Sequence, residues 1–351
     1  MAHALYVRMN PRAKDVGCSG DYRSSSLLEI AREFLGMHGV NVRGKSGLEV
    51  ASLAITTRSG SMATGDFSHL LANVANKRLR SAYDENPPSY ALWARRAPDA
   101  PDFKEITAIQ MSGAPDLLKT NEAGEFQYGS MTDKGEKYGI LTFGRIVALT
   151  RKAMVNDDLR GFDRMVQAFA ISARRLENRL VYSQLTANSA LSDGTPLFHA
   201  DHGNLASGAL SINALTAGRA AMRQQKGLQS EEINIAPKFL IVPGALEQTA
   251  YNLTSANYVP TTQQDINQFG AGGKTALQPV VESLLDGASS NAWYLAANSN
   301  QVDTVEYCYL AGSEGPNIEV ETSFSTDGIA MRCRHDFATK AIDHRGLYKS
   351  E

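Results

Sequence analysis

The chain contains very little cysteine: Cys18, Cys308 and Cys333 are the only thiols among its 351 residues. Their number is odd, their spacing is wide, and no C-x-x-C pair occurs. The sequence therefore predicts neither a disulfide framework nor a zinc ribbon. Since disulfides persist mainly in oxidising compartments, this cysteine usage indicates a reducing one.

Long apolar runs and a strong net charge are also missing. No stretch approaches the ~18 apolar residues that a membrane-spanning helix requires, and residues 1–30 lack the core of a signal peptide. We therefore predict no membrane span and no export by that route. The formal net charge is only −2, so the chain as a whole has no electrostatic attraction to nucleic acid.

Motifs of common catalytic sites are absent or incomplete. No G-x-S-x-G nucleophile elbow occurs. The segment Gly270–Thr275 ends in Gly-Lys-Thr, but it lacks the first glycine of the phosphate-loop spacing and follows no predicted strand. Nucleotide binding is therefore not predicted.

The segment His199-Ala-Asp-His202 offers residue types that bind metals, and His335 and His344 are further candidates if the fold brings them near. Its spacing is not that of a helical H-E-x-x-H site, and nearby glycine and proline indicate a loop whose side chains bond their own backbone. We predict no catalytic residue, no cofactor site and no metal site. A metal-dependent hydrolase that uses His199, Asp201 and His202 is the alternative.

Apolar residues make up 43% of the chain, enough for a substantial core, and the strongest helical pattern covers residues 156–187. Its apolar residues recur at steps of three and four, which places them on one helix face; they are Leu159, Phe162, Val166, Phe169, Ala173, Leu176 and Leu180. Asn156 is a favourable N-cap, and Arg175 falls on the outer face. A helix of roughly 45 Å with one apolar stripe is expected to lie across a sheet. A coiled coil is the alternative, but its e and g positions lack paired charges.

Residues 105–150 are predicted to form a long projecting hairpin. Strand-like runs at 103–111 and 140–150 flank a segment with glycines and no core pattern. The charged residues of that segment are Lys119, Glu122, Glu125, Asp133, Lys134, Glu136 and Lys137. Because an isolated two-stranded ribbon is only marginally stable in water, the hairpin should need a partner surface, which the sequence does not supply locally.

Residues 1–65 have the composition of an N-terminal arm. They contain one helical pattern, Leu27–Met37, and residues 1–45 hold seven Lys or Arg against four acids. Because such a segment buries too little apolar surface to fold alone, it is expected to lie on another surface.

The rest of the chain mixes helices with strands, which predicts an α+β fold. Helices are expected at 212–225 and 243–251, and strands at 238–242, 277–283, 293–297, 305–310, 318–324 and 329–337, with a turn at Thr326-Asp-Gly328 between the last two. Residues 254–275 are predicted to be disordered or ordered by a partner. Trp93 and Trp293 are expected to be core or interface anchors.

Seven short motifs occur in a fixed order along the chain: Asp66-Phe…Leu-Ala-Asn-Val-Ala-Asn-Lys77, Pro101-Asp-Phe-Lys104, Gly124-Glu-Phe126, Asn156-Asp-Asp158, Asp193-Gly-Thr-Pro-Leu-Phe-His199, His202-Gly-Asn-Leu205, and His335-Asp-Phe…Asp343-His-Arg-Gly346. As an ordered set they resemble the major capsid proteins of tailed bacteriophages. The resemblance is closest to the Mu-type head subunits and the capsid segments of prohead-protease fusions, and it covers the chain from about residue 25 to the end.

The resemblance implies the capsid fold shared with the herpesvirus capsid floor, divided as follows: 1–65 N-terminal arm; 66–104 first part of the peripheral domain; 105–150 E-loop; 151–211 peripheral domain with spine helix 156–187; 212–312 axial domain; 313–351 return strands of the peripheral domain. It implies a structural function, in which hexamers and pentamers tile an icosahedral shell around non-specifically bound double-stranded DNA. A non-viral compartment or gene-transfer particle of the same fold is the open alternative.

The resemblance also implies partners and a location. The partners are other copies of the chain, a portal, a scaffold or prohead protease and a decoration protein, with no membrane. The expected location is the virion capsid, after assembly in the host cytoplasm. Many relatives begin with a charged helical scaffolding segment, and residues 1–60 do not resemble one, so scaffolding is expected to be separate or already removed.

Overall fold

The structure is a computed structural model that describes residues 1–10, 13, 22, 25–56, 67–111, 133–150, 156, 159–228, 230–255, 269–270, 272–273, 275–323 and 328–351. Several sequence predictions fall on other residues, namely the middle of the hairpin with Lys119, Glu122 and Glu125, most of the loop 254–275, and the turn residues Thr326 and Asp327. These predictions lie outside the described residues. The described ones combine helices with sheets, which confirms the α+β class.

The α-helices of the described part are α1 Ala2–Met9, α2 Leu27–Met37, α3 Gly47–Thr56, α4 Phe67–Asp84, α5 Leu159–Ala187, α6 Ile212–Arg223 and α7 Glu247–Thr254. The strands are β1 Arg95–Arg96, β2 Ile106–Met111, β3 Asp133–Tyr138, β4 Leu141–Thr150, β5 Leu205–Ala206, β6 Pro237–Val242, β7 Gln278–Val281, β8 Trp293–Ala297, β9 Val305–Tyr309, β10 Asn317–Ser323, β11 Gly328–Ala341 and β12 Leu347–Ser350. No helix among the described residues is both long and apolar enough to cross a membrane.

The chain divides into two compact units, and each is assembled from three separate stretches of sequence. Unit 1 comprises Met1–Pro87, Leu141–Leu176 and Tyr309–Phe337. Unit 2 comprises Pro88–Ile140, Glu177–Cys308 and Ala338–Glu351.

Unit 1 packs helices onto an antiparallel sheet in which β11 pairs with β10 and with β4. Its core contains side chains from the helices and from the sheet; among them are Leu5, Ile30, Leu35, Phe67, Val74, Leu79, Phe162, Val166, Ile318 and Met331. The side-chain amide of Asn76 donates to the Ile318 carbonyl and accepts from the Ile318 N–H, each at 2.7 Å. This pair of hydrogen bonds fixes α4 against the edge strand β10.

The N-terminal segment contains more structure than its sequence predicts. Helix α2 has the predicted bounds, and it begins with a capping box formed by Ser26 and Glu29. Helices α1 and α3 were not predicted, because each shows only two or three turns of weak periodicity. Leu5 of α1 and Val50 of α3 are fully buried in the core of unit 1. The described helices of the arm therefore lie on the arm's own unit.

Helix α5 confirms the predicted long helix, although it begins at Leu159 and not beside Asn156, which lies in a turn. Its buried face differs in part from the predicted stripe. The fully or nearly fully buried positions are Phe162, Val166, Ala170, Ala173, Glu177, Val181, Tyr182 and Leu185. The predicted stripe members Phe169, Leu176 and Leu180 are only partly buried, although Phe169 packs against the core of unit 1, and Arg175 is exposed as predicted.

The hairpin is shorter than the sequence predicts. Strand β2 pairs with β3, in a register that runs from Ile106 opposite Tyr138 to Met111 opposite Asp133. The run 141–150, predicted to be the returning strand, instead pairs with β11 from Leu141 opposite Phe337 to Thr150 opposite Gly328. The reason is that β11 offers β4 a long series of cross-strand partners, whereas the charged sequence of β3 conceals its strand character.

Unit 2 contains a five-stranded sheet in the order β5-β12-β8-β6-β7, with α6 and α7 in the adjoining core. The predicted strand 293–297 has the predicted bounds, and the predictions for α6, β6 and β9 agree within a few residues. Trp93 and Trp293 are both fully buried, which confirms their prediction as anchors in the core. The ribbon β2–β3 and the second part of α5 also belong to this unit.

Candidate functional site

Three motif segments that are distant in sequence meet in unit 2. They are Asp193–His199, His202–Leu205 and Asp343–Gly346, and we call them together the motif cluster. Asn204 links them, because its side-chain amide donates to the Leu197 carbonyl at 2.8 Å and to the His344 carbonyl at 3.3 Å. Its side-chain oxygen accepts from the His199 N–H at 3.1 Å. The Asn204 side chain therefore holds the three segments of the motif cluster together.

Two further pairs complete the cluster. Asn188, a non-glycine residue with a positive φ of 47°, accepts from the Phe198 N–H at 2.7 Å and donates to the Phe198 carbonyl at 3.1 Å. Arg345 Nε donates to both carboxylate oxygens of Asp343 at 2.9 Å. Asp343 and Arg345 are both buried, and a charged pair in that position requires such close geometry to offset its desolvation.

His202 lies at the centre of the motif cluster with both ring nitrogens engaged. Its Nδ1 lies 3.3 Å from the Leu197 carbonyl, and its Nε2 lies 3.2 Å from a carboxylate oxygen of Asp193. The ring stacks on His344, with centroids 3.7 Å apart and planes at 5°. The side chain is only 8% exposed. His202 therefore connects loop 193–199 to the segment that precedes β12.

The structure brings together only two members of the alternative metal set His199, Asp201 and His202, since His199 Nδ1 lies 3.3 Å from a carboxylate oxygen of Asp201. His199 accepts from the Asp201 N–H at 3.2 Å and caps a single turn of 3-10 helix, with both side chains substantially exposed. His202 pairs with Asp193 instead of Asp201. Of the two further histidine candidates, His344 lies beside His202, whereas His335 belongs to unit 1, near Tyr83 and Tyr309.

Among the described residues, Asp193, His202 and His344 are one group whose potential ligand atoms all lie within 4.8 Å of one another. A zinc ion needs nitrogen lone pairs aimed at it from about 2.0–2.1 Å. Imidazole lone pairs lie in the ring plane, and the planes of these two rings are nearly parallel, so their lone pairs do not converge on one point. The group has the geometry of a stacked pair with a carboxylate partner. The absence of a metal site remains a prediction.

Burial lowers the pKa of His344 from 6.5 to about 4. The neighbouring Asp343 carboxylate opposes this shift, and the charge of His202 adds to it. His344 is consequently neutral at pH 7, so the stack does not place two positive rings 3.7 Å apart.

Acidification is expected to destabilise the chain through His344. The unfolded chain protonates this ring near pH 6.5, but the folded chain does so only near pH 4. In that window the unfolded state binds more protons, so the free energy of unfolding falls as the pH drops from 6.5 to 4, by up to about 3 kcal/mol. Urea unfolding at several pH values should show this loss, and His344→Gln should reduce the pH dependence.

The matched control is His199→Gln, which removes an exposed histidine of the same motif cluster. It should retain the pH dependence of the original chain. A His344→Gln variant whose stability falls as steeply as that of the original chain between pH 6.5 and 4 would contradict the assignment.

The base of the β2–β3 ribbon is attached to the motif cluster. A carboxylate oxygen of Glu136 accepts from the Ser192 N–H, and the other lies 3.9 Å from Lys340 Nζ. Tyr138 donates to Glu306 at 3.2 Å. Glu136 and Tyr138 are 5% and 8% exposed. The base of the hairpin therefore has partners within its own unit, although they are distant in sequence.

The described thiols are not activated as nucleophiles. Burial raises the pKa of Cys333 to about 11 and also raises the pKa of Cys308, so both stay protonated at pH 7. Burial and the Glu306 carboxylate likewise raise the pKa of Tyr138. These groups are packed core residues, while Cys18 lies outside the described residues.

Residues 135–350 match the sequence model of a family described as phage capsid protein. The match spans more than half of the chain and contains the whole motif cluster. The chain belongs to the phage capsid protein family. The resemblance drawn from the ordered motifs is thereby confirmed, and the capsid protein has a structural role as a component of a virion shell.

Solved structures from phages resemble this capsid protein at low identity. The procapsid of bacteriophage JBD30 is 13% identical, with 79% of this chain and 72% of that chain covered and a TM-score of 0.44. A chain of Mycobacterium phage Ogopogo is 12% identical, with 75% and 90% covered and a TM-score of 0.43. A chain of Microbacterium phage Oxtober96 is 10% identical, with 75% and 90% covered and a TM-score of 0.47. Comparison with curated proteins finds no match.

Proposed function

We propose that this chain is the major head subunit of a tailed phage, and that its hexamers and pentamers tile an icosahedral shell around double-stranded DNA. The observation that carries the proposal is the family match over residues 135–350. In this proposal no residue is catalytic, and the motif cluster serves to lock loops of the subunit in place.

The domain division of the resembled family is proposed for this chain as well. The ribbon β2–β3, whose register continues to Met111 and Asp133, supports a projecting E-loop between those residues. The sheet β5-β12-β8-β6-β7 with α6 and α7 supports an axial domain centred on 212–312, to which the flanking ranges contribute β5 and β12. Helix α5 corresponds to the spine helix of a peripheral domain that also includes 66–104, 151–211 and 313–351, with 1–65 as the arm.

The remaining partners and the route of assembly are part of the same proposal. A shell of this kind takes up DNA through a portal, and it is built with a scaffold or a prohead protease before a decoration protein binds. Assembly takes place in the host cytoplasm. The hydrogen bonds of the motif cluster hold three segments of unit 2 together. They support a subunit whose fold stays the same while the neighbouring subunits change position.

The 351-residue chain is expected to form closed shells or ring-shaped capsomers when it is expressed alone. Size-exclusion chromatography and negative-stain electron microscopy of the purified protein test this. Elemental analysis of the same sample should find substoichiometric zinc, iron and manganese. A discrete small oligomer with one zinc per chain, lost in His202→Ala, would contradict the proposal and favour a metal-dependent enzyme.

A further inference from the structure

Residues 190–196 of unit 2 form a tight turn, which we call the anchor turn. Its two ends meet in an antiparallel bridge between Ala190 and Pro196. Inside it, the Leu191 N–H donates to the Thr195 carbonyl at 3.0 Å. These pairings hold the residues at the tip of the turn in fixed positions relative to one another.

The two residues at the tip of the anchor turn contact different parts of unit 2. The Ser192 N–H donates to Glu136 at the base of the ribbon β2–β3. The carboxylate of the next residue, Asp193, lies 3.2 Å from Nε2 of His202. The His202 ring in turn stacks on His344, with centroids 3.7 Å apart. A movement of the stacked pair that displaces Asp193 therefore also displaces the residue that anchors the ribbon.

The surroundings of His344 favour its neutral form. The charged or titratable groups that face it are Asp343, His202, Arg345 and Asp193. Asp343 already accepts from Arg345 Nε at 2.9 Å. Asp193 is already paired with His202. A proton on His344 would add positive charge next to Arg345 and against the His202 ring, where like charges repel strongly because water is largely excluded.

Opening of the stack restores the ordinary protonation of His344. Burial holds the pKa of the closed ring at about 4, and exposure to water returns it towards 6.5. Between these two values the open form binds more protons than the closed form, so acid favours the open form. From pH 7 to pH 5 the ratio of open to closed molecules should rise about 20-fold.

We propose that the stacked pair is an acid-sensitive switch for the ribbon: protonation opens the stack, moves the anchor turn and releases Glu136 from Ser192. All of these groups belong to unit 2. The switch acts within one subunit, so it does not require a shell and goes beyond the proposed function. Tyr138 still donates to Glu306 in the open form, so the base of the ribbon loosens but stays attached to its unit.

The test measures hydrogen exchange of the ribbon in the 351-residue chain at pH 7 and pH 5. Each observed rate is compared with the chemical exchange rate at the same pH, which gives the protection of each segment. Protection of Ile106–Met111 and Asp133–Tyr138 should fall about 20-fold at pH 5. The inner strand β8 of the same unit should remain far better protected than the ribbon. Light scattering at both pH values checks that molecules in the same assembly state are compared.

Two variants separate the parts of the switch. His344→Gln should abolish the fall in ribbon protection, because glutamine does not titrate. Glu136→Ala should leave the ribbon less protected at both pH values and no longer responsive to acid, while the anchor turn still responds. The matched control is His199→Gln, which removes an exposed histidine of the motif cluster and should keep the full response.

Three results would overturn the proposal. The first is unchanged ribbon protection in the original chain at pH 5, or an undiminished fall in the His344→Gln variant. The second is equal protection of the ribbon and β8 at pH 5, because the ribbon would then open only when the whole unit unfolds. The third is a Glu136→Ala ribbon that still responds to acid, because the signal would then not pass through the anchor turn.

Discussion

Replacing residues 112–132 with Asn-Gly should give a folded subunit that forms no closed shells. Met111 and Asp133 are the last described pair of the β2–β3 ribbon, so an Asn-Gly dipeptide between them makes a two-residue hairpin turn in the existing register. The deletion removes the tip of the proposed E-loop, which we expect to contact a neighbouring subunit. Light scattering and electron microscopy should find no particles, while circular dichroism should be nearly that of the original chain.

The subunit is expected to stay folded because the ribbon is anchored at its base. Glu136 and Tyr138 keep their contacts with Ser192, Lys340 and Glu306 in this variant. On the opposite side of the ribbon, Ile109 is 58% exposed and faces Gly135, so this side is not covered by unit 2. A contact with another subunit would bury the exposed side chain of Ile109 and stabilise the ribbon, which is marginal on its own.

The matched control replaces residues 112–132 by a Gly-Ser linker of the same length, which keeps the reach of the loop but removes its side chains. It should also fail to form shells, since the side-chain contacts with the neighbour are lost. Normal particles from the shortened chain would refute the role between subunits. An insoluble product would place residues 112–132 in the subunit's own core.

Elements whose pattern is local could be predicted from the sequence. Helix α2 and strand β8 have the predicted bounds because each has a clear apolar pattern with start and stop signals at its ends. The length of α5 was predicted for the same reason. What the pattern could not show is that Glu177 belongs to the buried face, because the Tyr90 hydroxyl that satisfies it is 87 residues away in sequence.

Pairings between distant segments could not be predicted. The sequence Asp-Lys-Gly-Glu-Lys-Tyr of β3 has no apolar alternation, and it forms a strand through its register with β2 and through the contacts of Glu136 and Tyr138. In the motif cluster, His202 has Asp201 as its neighbour in sequence but Asp193 as its partner in space. Asp193, and not Asp201, is the partner of His202 because Gly203 adopts a left-handed conformation after the 3-10 turn and loop 193–199 folds back onto the His202 ring.

Val166→Asp should prevent folding of unit 1. Val166 is fully buried in the first third of α5, in the same core cluster as Phe162 and Met331. Losing the buried valine costs about 1.5–3 kcal/mol. Leaving an unpaired carboxylate in its place adds several kcal/mol. The total is comparable with the 5–15 kcal/mol that stabilises a typical domain.

Soluble yield and thermal melting of three aspartate variants of α5 measure this effect. The matched control is Ala168→Asp, which introduces the same side chain two positions away on the exposed face and should melt close to the original chain. Phe169→Asp should fall between the two, because Phe169 is only partly buried and a carboxylate there reaches water. The predicted order of damage is therefore position 166, then 169, then 168. If Phe169→Asp melts at a lower temperature than Val166→Asp, the result favours the apolar stripe derived from the sequence over the buried face of the structure. If Val166→Asp and Ala168→Asp melt at the same temperature, α5 does not bury this face at all.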